Sequence, residues 1–199
     1  MNLFVISNNL FDDREYAIAE PKNDRYGDFP KCSACGGPIG SRRWLPEFMV
    51  KLSKKKVGDF VFGSVDPFLV TEKIVNIVYD NEIHGVTSFN QVTVTNNKNV
   101  KLYIPEIEYG ALKIDEEVSG FIRTKQQRCE VCRLGGAISA YNKLEPAINT
   151  WDGLDIFVLR QLPGTIVLSE KFYNLCNENM VTNLTVKQMQ DYYPPWMKQ

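Results

Sequence analysis

The chain has 199 residues, 44% of them hydrophobic and 24% charged, which is an ordinary composition for a globular protein long enough to bury a core. Its formal net charge of −1 provides no general electrostatic attraction to nucleic acid, and no apolar run approaches the roughly 20 residues of a membrane-spanning helix. At the N-terminus, the apolar run at positions 3–6 is too short for a signal peptide and follows no basic leader. We therefore expect a cytoplasmic protein that does not associate with membranes.

The first half of the chain contains a cysteine motif followed by a strand and a helix. The motif is Cys32-Ser33-Ala34-Cys35, and it precedes a glycine-rich stretch. Residues 59–62 then predict an apolar strand. Thr71 stands where a helix N-cap belongs, with Glu72 in the first turn, where a carboxylate interacts favourably with the helix dipole. The apolar residues at 74, 77 and 78 recur at helical spacing and predict the buried face of that helix.

The middle of the chain is predicted to be rich in strands. His84, the only histidine, stands at the expected end of the helix and is interpreted as structural. Residues 85–94 alternate as a strand, residues 96–99 form a polar turn, and residues 100–105 are the expected hairpin partner. The acidic cluster at 115–117 is interpreted as a solvated loop.

The second half repeats the order of the first. Cys129-Glu130-Val131-Cys132 begins 97 positions after the first motif, an apolar strand is predicted at 155–158, and Ser169 is a second candidate N-cap. The fifth cysteine, Cys176, falls where Val78 lies in the first copy. We interpret it as a small buried hydrophobic residue, with a reactive nucleophile as the alternative.

The two CxxC motifs predict a single metal site. Two residues between cysteines allow both sulfurs of a turn to bind one ion, and two such turns supply the four soft ligands of tetrahedral zinc. A redox motif, disulfides and unrelated buried thiols are the alternatives. The predicted ligands of a structural Zn²⁺ are Cys32, Cys35, Cys129 and Cys132. Several bases flank the motifs and could compensate the charge of the thiolates: Lys31, Arg42, Arg43, Arg128 and Arg133.

A shift of 96 to 98 positions aligns the two copies and predicts a duplicated unit. The pseudo-repeat spans about residues 30–95 and 127–190. We expect an α+β fold in which two similar strand–helix halves with antiparallel strands are joined by the four-cysteine zinc site. Because each half supplies only half of that site, residues 1–199 should form a single cooperative domain.

Little in the sequence indicates catalysis. Four thiolates fill the coordination sphere of zinc, and no GxSxG, HExxH or phosphate-binding glycine loop is present. We therefore do not expect an enzyme. The aromatic tail at 191–197 either packs on the body or is exposed for an interface. Seven carboxylates could form an acidic face that binds a basic partner: Asp59, Asp66, Glu106, Glu108, Asp115, Glu116 and Glu117.

Paired CxxC motifs about a hundred residues apart resemble those of the double-CxxCG family of predicted bacterial immunity proteins. The resemblance covers approximately residues 30–185 and is most specific around Cys35-Gly36, Trp44-Leu45-Pro46 and Leu69-Val70-Thr71-Glu72-Lys73. The second motif departs from the pattern, because Arg133 follows Cys132. The resemblance implies a bacterial cytoplasmic protein that neutralises a cognate protein toxin by non-covalent binding.

A different class of function is the alternative. The alternative is a zinc-ribbon-like nucleic-acid-binding or regulatory protein, in which the bases around the two motifs, together with those at 54–56, could form a basic patch around the metal. The net charge argues against nucleic acid as the partner. The oligomeric state is not predicted.

Overall fold

A computed structural model describes residues 2–7, 15–23, 26–28, 30–37, 39, 44–124, 129–132, 138–195 and 197. The fold is mixed α+β and consists mainly of strands, as expected. The strands are Leu3–Ile6 (β1), Ala19–Pro21 (β2), Met49–Leu52 (β3), Phe60–Val61 (β4), Leu69–Thr71 (β5), Val86–Val94 (β6), Leu102–Ile107 (β7), Lys113–Ile114 (β8), Ile122–Arg123 (β9), Ile138–Ala140 (β10), Pro146–Ala147 (β11), Ile156–Val158 (β12), Ile166–Ser169 (β13) and Val186–Gln188 (β14). The α-helices are Glu72–Asp80 (α1), Glu116–Ser119 (α2) and Glu170–Glu178 (α3), and 3₁₀ turns lie at Ile148–Thr150 and Met189–Asp191.

The larger sheet has six strands in the order β2-β3-β6-β7-β5-β4. Its centre is the predicted hairpin of β6 and β7, in which Val92 lies opposite Leu102 and Phe89 opposite Pro105. The pairing of β3 with β6 is parallel, so the expectation of antiparallel strands does not hold for this pair. A parallel pair needs a crossover connection, and the chain makes it by passing through β4, β5 and α1 before it enters β6.

The second sheet has four strands in the order β12-β13-β1-β14. The N-terminal strand β1 lies between strands from the C-terminal part of the chain, with Leu3 opposite Ser169 and Phe4 opposite Gln188. Both pairings are antiparallel. The four residues of β1 therefore bring the two ends of the described chain into one sheet.

Two further antiparallel pairs, β8 with β11 and β9 with β10, form separate two-stranded sheets. The acidic cluster between them is not the solvated loop that the sequence suggested, because it begins α2. Asp115 caps this helix by accepting the N–H of Val118 at 3.0 Å, and Glu116 forms an ion pair with Arg123 at 3.0 Å. The carboxylates of Asp115 and Glu116 therefore form contacts within the protein at the start of α2.

The two predicted strand–helix units pair their strands in corresponding registers. In β4–β5, Phe60 lies opposite Val70, and in β12–β13, Ile156 lies opposite Leu168. The expected helix starts are confirmed, since α1 follows Thr71 and α3 follows Ser169. Ser169 accepts the N–H of Phe172 at 3.2 Å, whereas the Thr71 side chain makes no capping hydrogen bond. The sheets themselves differ in size.

The core is divided into three clusters. The central one contains the buried faces of α1 and α3 together with one face of each sheet, including Phe60, Ile74, Ile156 and Phe172. The other faces of the four-stranded and six-stranded sheets bury the second and third clusters. Because strand side chains alternate between faces, neighbouring residues such as Phe157 and Val158 enter different clusters.

This packing confirms the predicted burial of Cys176 and decides between the two alternatives for the C-terminal tail. Cys176 is 1% exposed and lies in the central cluster, where burial raises its thiol pKa to about 12. In the C-terminal tail, Tyr192 is buried and its carbonyl accepts the hydroxyl of Tyr141 at 2.9 Å, while the rings of Tyr141 and Tyr193 stack at 5.6 Å. The tail packs on the body through these residues; Trp196, which also belongs to the aromatic tail at 191–197, lies outside the described residues. Across the described ranges, none of the helices has the length and apolar character needed to traverse a bilayer.

Candidate metal centre

The two CxxC turns, residues 32–35 and 129–132, meet in space. The Sγ atoms of the four cysteines all lie within 4.8 Å of one another. Across the two turns, Cys32 Sγ lies 3.9 Å from Cys129 Sγ, and Cys35 Sγ lies 3.7 Å from Cys132 Sγ. Motifs separated by 97 positions are thus brought into one cluster of thiols.

The spacing of the sulfurs fits a tetrahedral ion. Four sulfurs at about 2.3 Å from one ion lie about 3.8 Å apart, close to both distances across the turns. A disulfide needs sulfurs at about 2.05 Å, and all four cysteines are free. The arrangement is therefore compatible with a metal held by four thiolates and incompatible with cross-linking.

Backbone hydrogen bonds shape the first CxxC turn. The N–H of Gly36 donates to the carbonyl of Cys32 at 2.9 Å, and the N–H of Cys32 donates to the carbonyl of Gly37 at 2.8 Å. Gly36 has φ +69°, in the left-handed region that glycine adopts without steric cost. A Cβ at Gly37 would lie 3.3 Å from Cys35 Sγ, so the second glycine leaves room for a ligand.

Backbone amides also point at the first sulfur of each turn. Hydrogen bonds from the N–H groups of Cys35 and Ala34 lower the pKa of Cys32 to about 6. The corresponding amides of Cys132 and Val131 lower the pKa of Cys129. Hydrogen bonds to a thiolate favour the charged form, so both turns prepare their first cysteine to bind a cation.

Cys35 differs from the first cysteines. The Gly37 amide lowers its pKa, but hydrogen bonding with the thiols of Cys129 and Cys32 contributes to raising it above the ordinary value. Four neighbouring thiols do not all ionise readily, because each new negative charge lies close to the others. A bound cation removes this repulsion, and metal binding would release the remaining protons.

The centre has a buried side and an open side. Cys32 and Cys132 are buried, whereas Cys129 is half-buried and Cys35 is exposed. Lys31, the described member of the predicted compensating bases, is also exposed. Arg42, Arg43, Arg128 and Arg133 lie outside the described residues, as do the glycines at 135 and 136 that follow the second turn.

His84 takes no part in this cluster. Its side chain is exposed in the turn after α1, while its backbone binds Asp155: the His84 N–H donates to Asp155 Oδ2 at 3.1 Å. This agrees with the structural role expected from the sequence. Within the described ranges, the four cysteines form the group of candidate ligands whose atoms come close enough to share an ion.

The acidic face that the sequence suggested is reduced by internal contacts. Asp59 accepts hydrogen bonds from Thr182, and Asp115 and Glu116 are used by α2 and Arg123. The predicted members that are exposed and take no part in these contacts are Asp66, Glu106, Glu108 and Glu117. The sequence did not predict the hydrogen bonds of Asp59, because its partner Thr182 lies 123 positions away.

A scan against protein-family models finds no match for the chain. A search of curated proteins also finds no match.

Proposed function

We propose that the four cysteines bind one structural Zn²⁺. The support is the donor set: four thiol sulfurs within 4.8 Å of one another, two of which have pKa values lowered by backbone amides. With four protein ligands, zinc has no open position for water or substrate, so its contribution would be to stability. The ion would join two turns that belong to different parts of the chain.

The proposal includes a duplicated architecture. The matched registers of β4–β5 and β12–β13, each followed by a nine-residue helix, support two similar halves. One CxxC turn precedes each hairpin. Zinc would then lie on the seam of one cooperative domain, and loss of the ion would loosen both halves.

For the whole protein, we propose an immunity protein that neutralises a cognate bacterial toxin by non-covalent binding. One observation carries this proposal: the two CxxC motifs, although distant in the sequence, meet in one four-thiol centre. The family resemblance rests on these paired motifs. The exposed carboxylates Asp66, Glu106 and Glu108 would steer association with a basic toxin. Zinc would keep that surface rigid and take no part in chemistry.

Co-expression tests the proposal. The protein is expressed in bacteria together with the toxin domain encoded by the gene immediately upstream, and growth is scored. We expect the wild-type chain to rescue growth. Reversal of the charges of both Glu106 and Glu108 should weaken the rescue, whereas reversal at the distant exposed Glu178 should leave it unaffected. Absence of rescue and of a complex on gel filtration would reject the immunity function.

The nucleic-acid-binding alternative has weaker support. Among the described bases proposed for its patch, Lys56 forms an ion pair with Glu15. Salt-sensitive binding of the zinc-loaded protein to RNA or DNA, without toxin rescue, would favour this alternative.

A further inference from the structure

A cavity of about 470 Å³ lies between the metal centre and the two sheets. Cys32 and Cys132 line one side, and residues of β7, including Ile104 and Ile107, line the other. Val158 of β12 also lines the cavity. This volume falls within the roughly 300–1,000 Å³ of ligand pockets, and both the closed CxxC turns and the sheets are needed to form it.

A residue that lines the cavity, Trp44, has a buried hydrogen-bond donor without a partner in the described structure. The residue is only 6% exposed, and the donor is its indole Nε1. Leaving a buried N–H unpaired is costly, so native proteins pair nearly all such groups. By contrast, the indole N–H of Trp151 donates to the carbonyl of Leu154 at 3.1 Å. An acceptor atom on a molecule within the cavity would pair the donor of Trp44.

The lining defines the chemistry of that molecule. Apolar surface dominates the interior, with Trp44, Phe48 and Tyr109 as the aromatic members. The charged lining residues Asp66, Glu106 and Arg160 are all exposed and thus stand at the rim, where carboxylates outnumber the guanidinium. Four thiolates with zinc would add further negative charge, so the site disfavours anions.

We propose that this cavity is a binding site for a small, uncharged and mainly apolar molecule that presents a hydrogen-bond acceptor to Trp44 Nε1. Two of the candidate metal ligands line this site, but the proposal does not depend on the proposed immunity function. The ligand would contact both the metal-binding turns and β7. Its binding would therefore make the contact between these turns and the sheet more rigid.

Nile red, an uncharged planar dye with a carbonyl acceptor, is the first probe. Titrated into the zinc-loaded protein, it should bind saturably at one per chain with enhanced, blue-shifted fluorescence. Ile107→Trp fills the cavity and should weaken binding at least about tenfold. The matched Ile122→Trp, at a position 60% exposed and outside the lining, should leave the affinity unchanged.

Thr87→Trp, at an exposed lining position, provides a second filling variant if Ile107→Trp does not fold. Equal affinity in the filled variant and the Ile122→Trp control would overturn the proposal. So would equal or tighter binding of the anionic dye anilinonaphthalene sulfonate, because the proposed site disfavours anions.

Nuclear magnetic resonance tests the hydrogen bond directly. In ¹⁵N-labelled protein, coumarin, a small uncharged molecule with a lactone carbonyl, should shift the indole N–H signal of Trp44 and leave that of Trp151 in place. Trp44→Phe assigns the signal and should weaken Nile red binding roughly three- to tenfold, the effect of one lost hydrogen bond. An unmoved Trp44 signal at saturating coumarin would overturn the role of this donor.

Discussion

Asp59 and Thr182 bind each other through three hydrogen bonds of 2.9 Å, although 123 positions separate them in the chain. The N–H and hydroxyl of Thr182 both donate to Asp59 Oδ2, and the N–H of Asp59 donates back to Thr182 Oγ1. Asp155 has the corresponding contact with the backbone of His84. Each aspartate precedes one hairpin and binds the segment that follows the helix of the other unit, so these contacts join the two units away from the metal centre.

Replacement of Asp59 by asparagine is therefore expected to destabilise the protein. The new side chain would keep the shape of the aspartate, but it replaces one of the two oxygen acceptors with a donor and loses the charge that pairs with Lys73, at a cost of about 1–3 kcal/mol. Urea unfolding of the zinc-loaded protein measures this change. Asp80→Asn, at an exposed position on α1, is the matched control and should change stability by less than about 0.5 kcal/mol. Equal effects would contradict the importance of the contact.

The same carboxylate predicts a pH dependence. Burial raises the pKa of Asp59, but hydrogen bonds from Thr182, with smaller contributions from Thr71 and Lys73, lower it overall below 3.8. Its folded pKa is therefore below its unfolded pKa, so its stabilising effect is fully present above about pH 4 and is lost as the pH falls through the folded value. The stability difference between wild type and Asp59→Asn should shrink below about pH 4. A difference constant across that range would contradict the prediction.

The two helix starts predict unequal effects of alanine. Ser169 Oγ accepts the N–H of Phe172 and donates to the buried Asp155 at 2.6 Å, whereas Thr71 only donates to Asp59 at 3.0 Å. Ser169→Ala removes a cap and leaves a buried carboxylate short of a donor, so it should cost about 1 kcal/mol more than Thr71→Ala. Thermal and urea unfolding of both variants measure the difference. A larger loss in Thr71→Ala would contradict this assignment.

The proposed zinc site predicts one Zn²⁺ per chain. Elemental analysis of protein purified without added metal should detect it, and Cys129→Ser should lower both metal content and melting temperature. Structural zinc contributes on the order of 10–16 kcal/mol in small peptides, a value that the larger core should reduce here. Cys176→Val removes a cysteine outside the centre and should retain the metal. Stoichiometry near zero in wild type would reject the site.

Cys176 should be chemically inert in the folded protein. Its thiol is 1% exposed and its pKa is raised to about 12, so almost no thiolate is present at about pH 8. Iodoacetamide should leave Cys176 unmodified in the zinc-loaded protein and modify it in urea, as peptide mass spectrometry can show. Rapid modification under native conditions would support the nucleophile alternative instead.

Local patterns in the sequence were enough to predict the helices α1 and α3, the β6–β7 hairpin and the four candidate ligands. Each prediction depends on residues close together: a capping hydroxyl before an apolar period, alternation across a polar turn, or two cysteines in one turn. The prediction for residues 115–117 was wrong for a local reason, because Asp115 was not recognised as a cap.

The central position of β1, the parallel β3–β6 pair and the contacts of Asp59 and Asp155 arise only in the tertiary structure. Their partners are distant in the chain, and a short strand or a single carboxylate contains no information about which distant backbone it will meet. The cavity beside Trp44 has the same origin, since its walls come from both CxxC turns and both sheets. Residue chemistry determined the candidate ligands for a metal, and folding decided that their sulfurs lie 3.7–3.9 Å apart across the two turns.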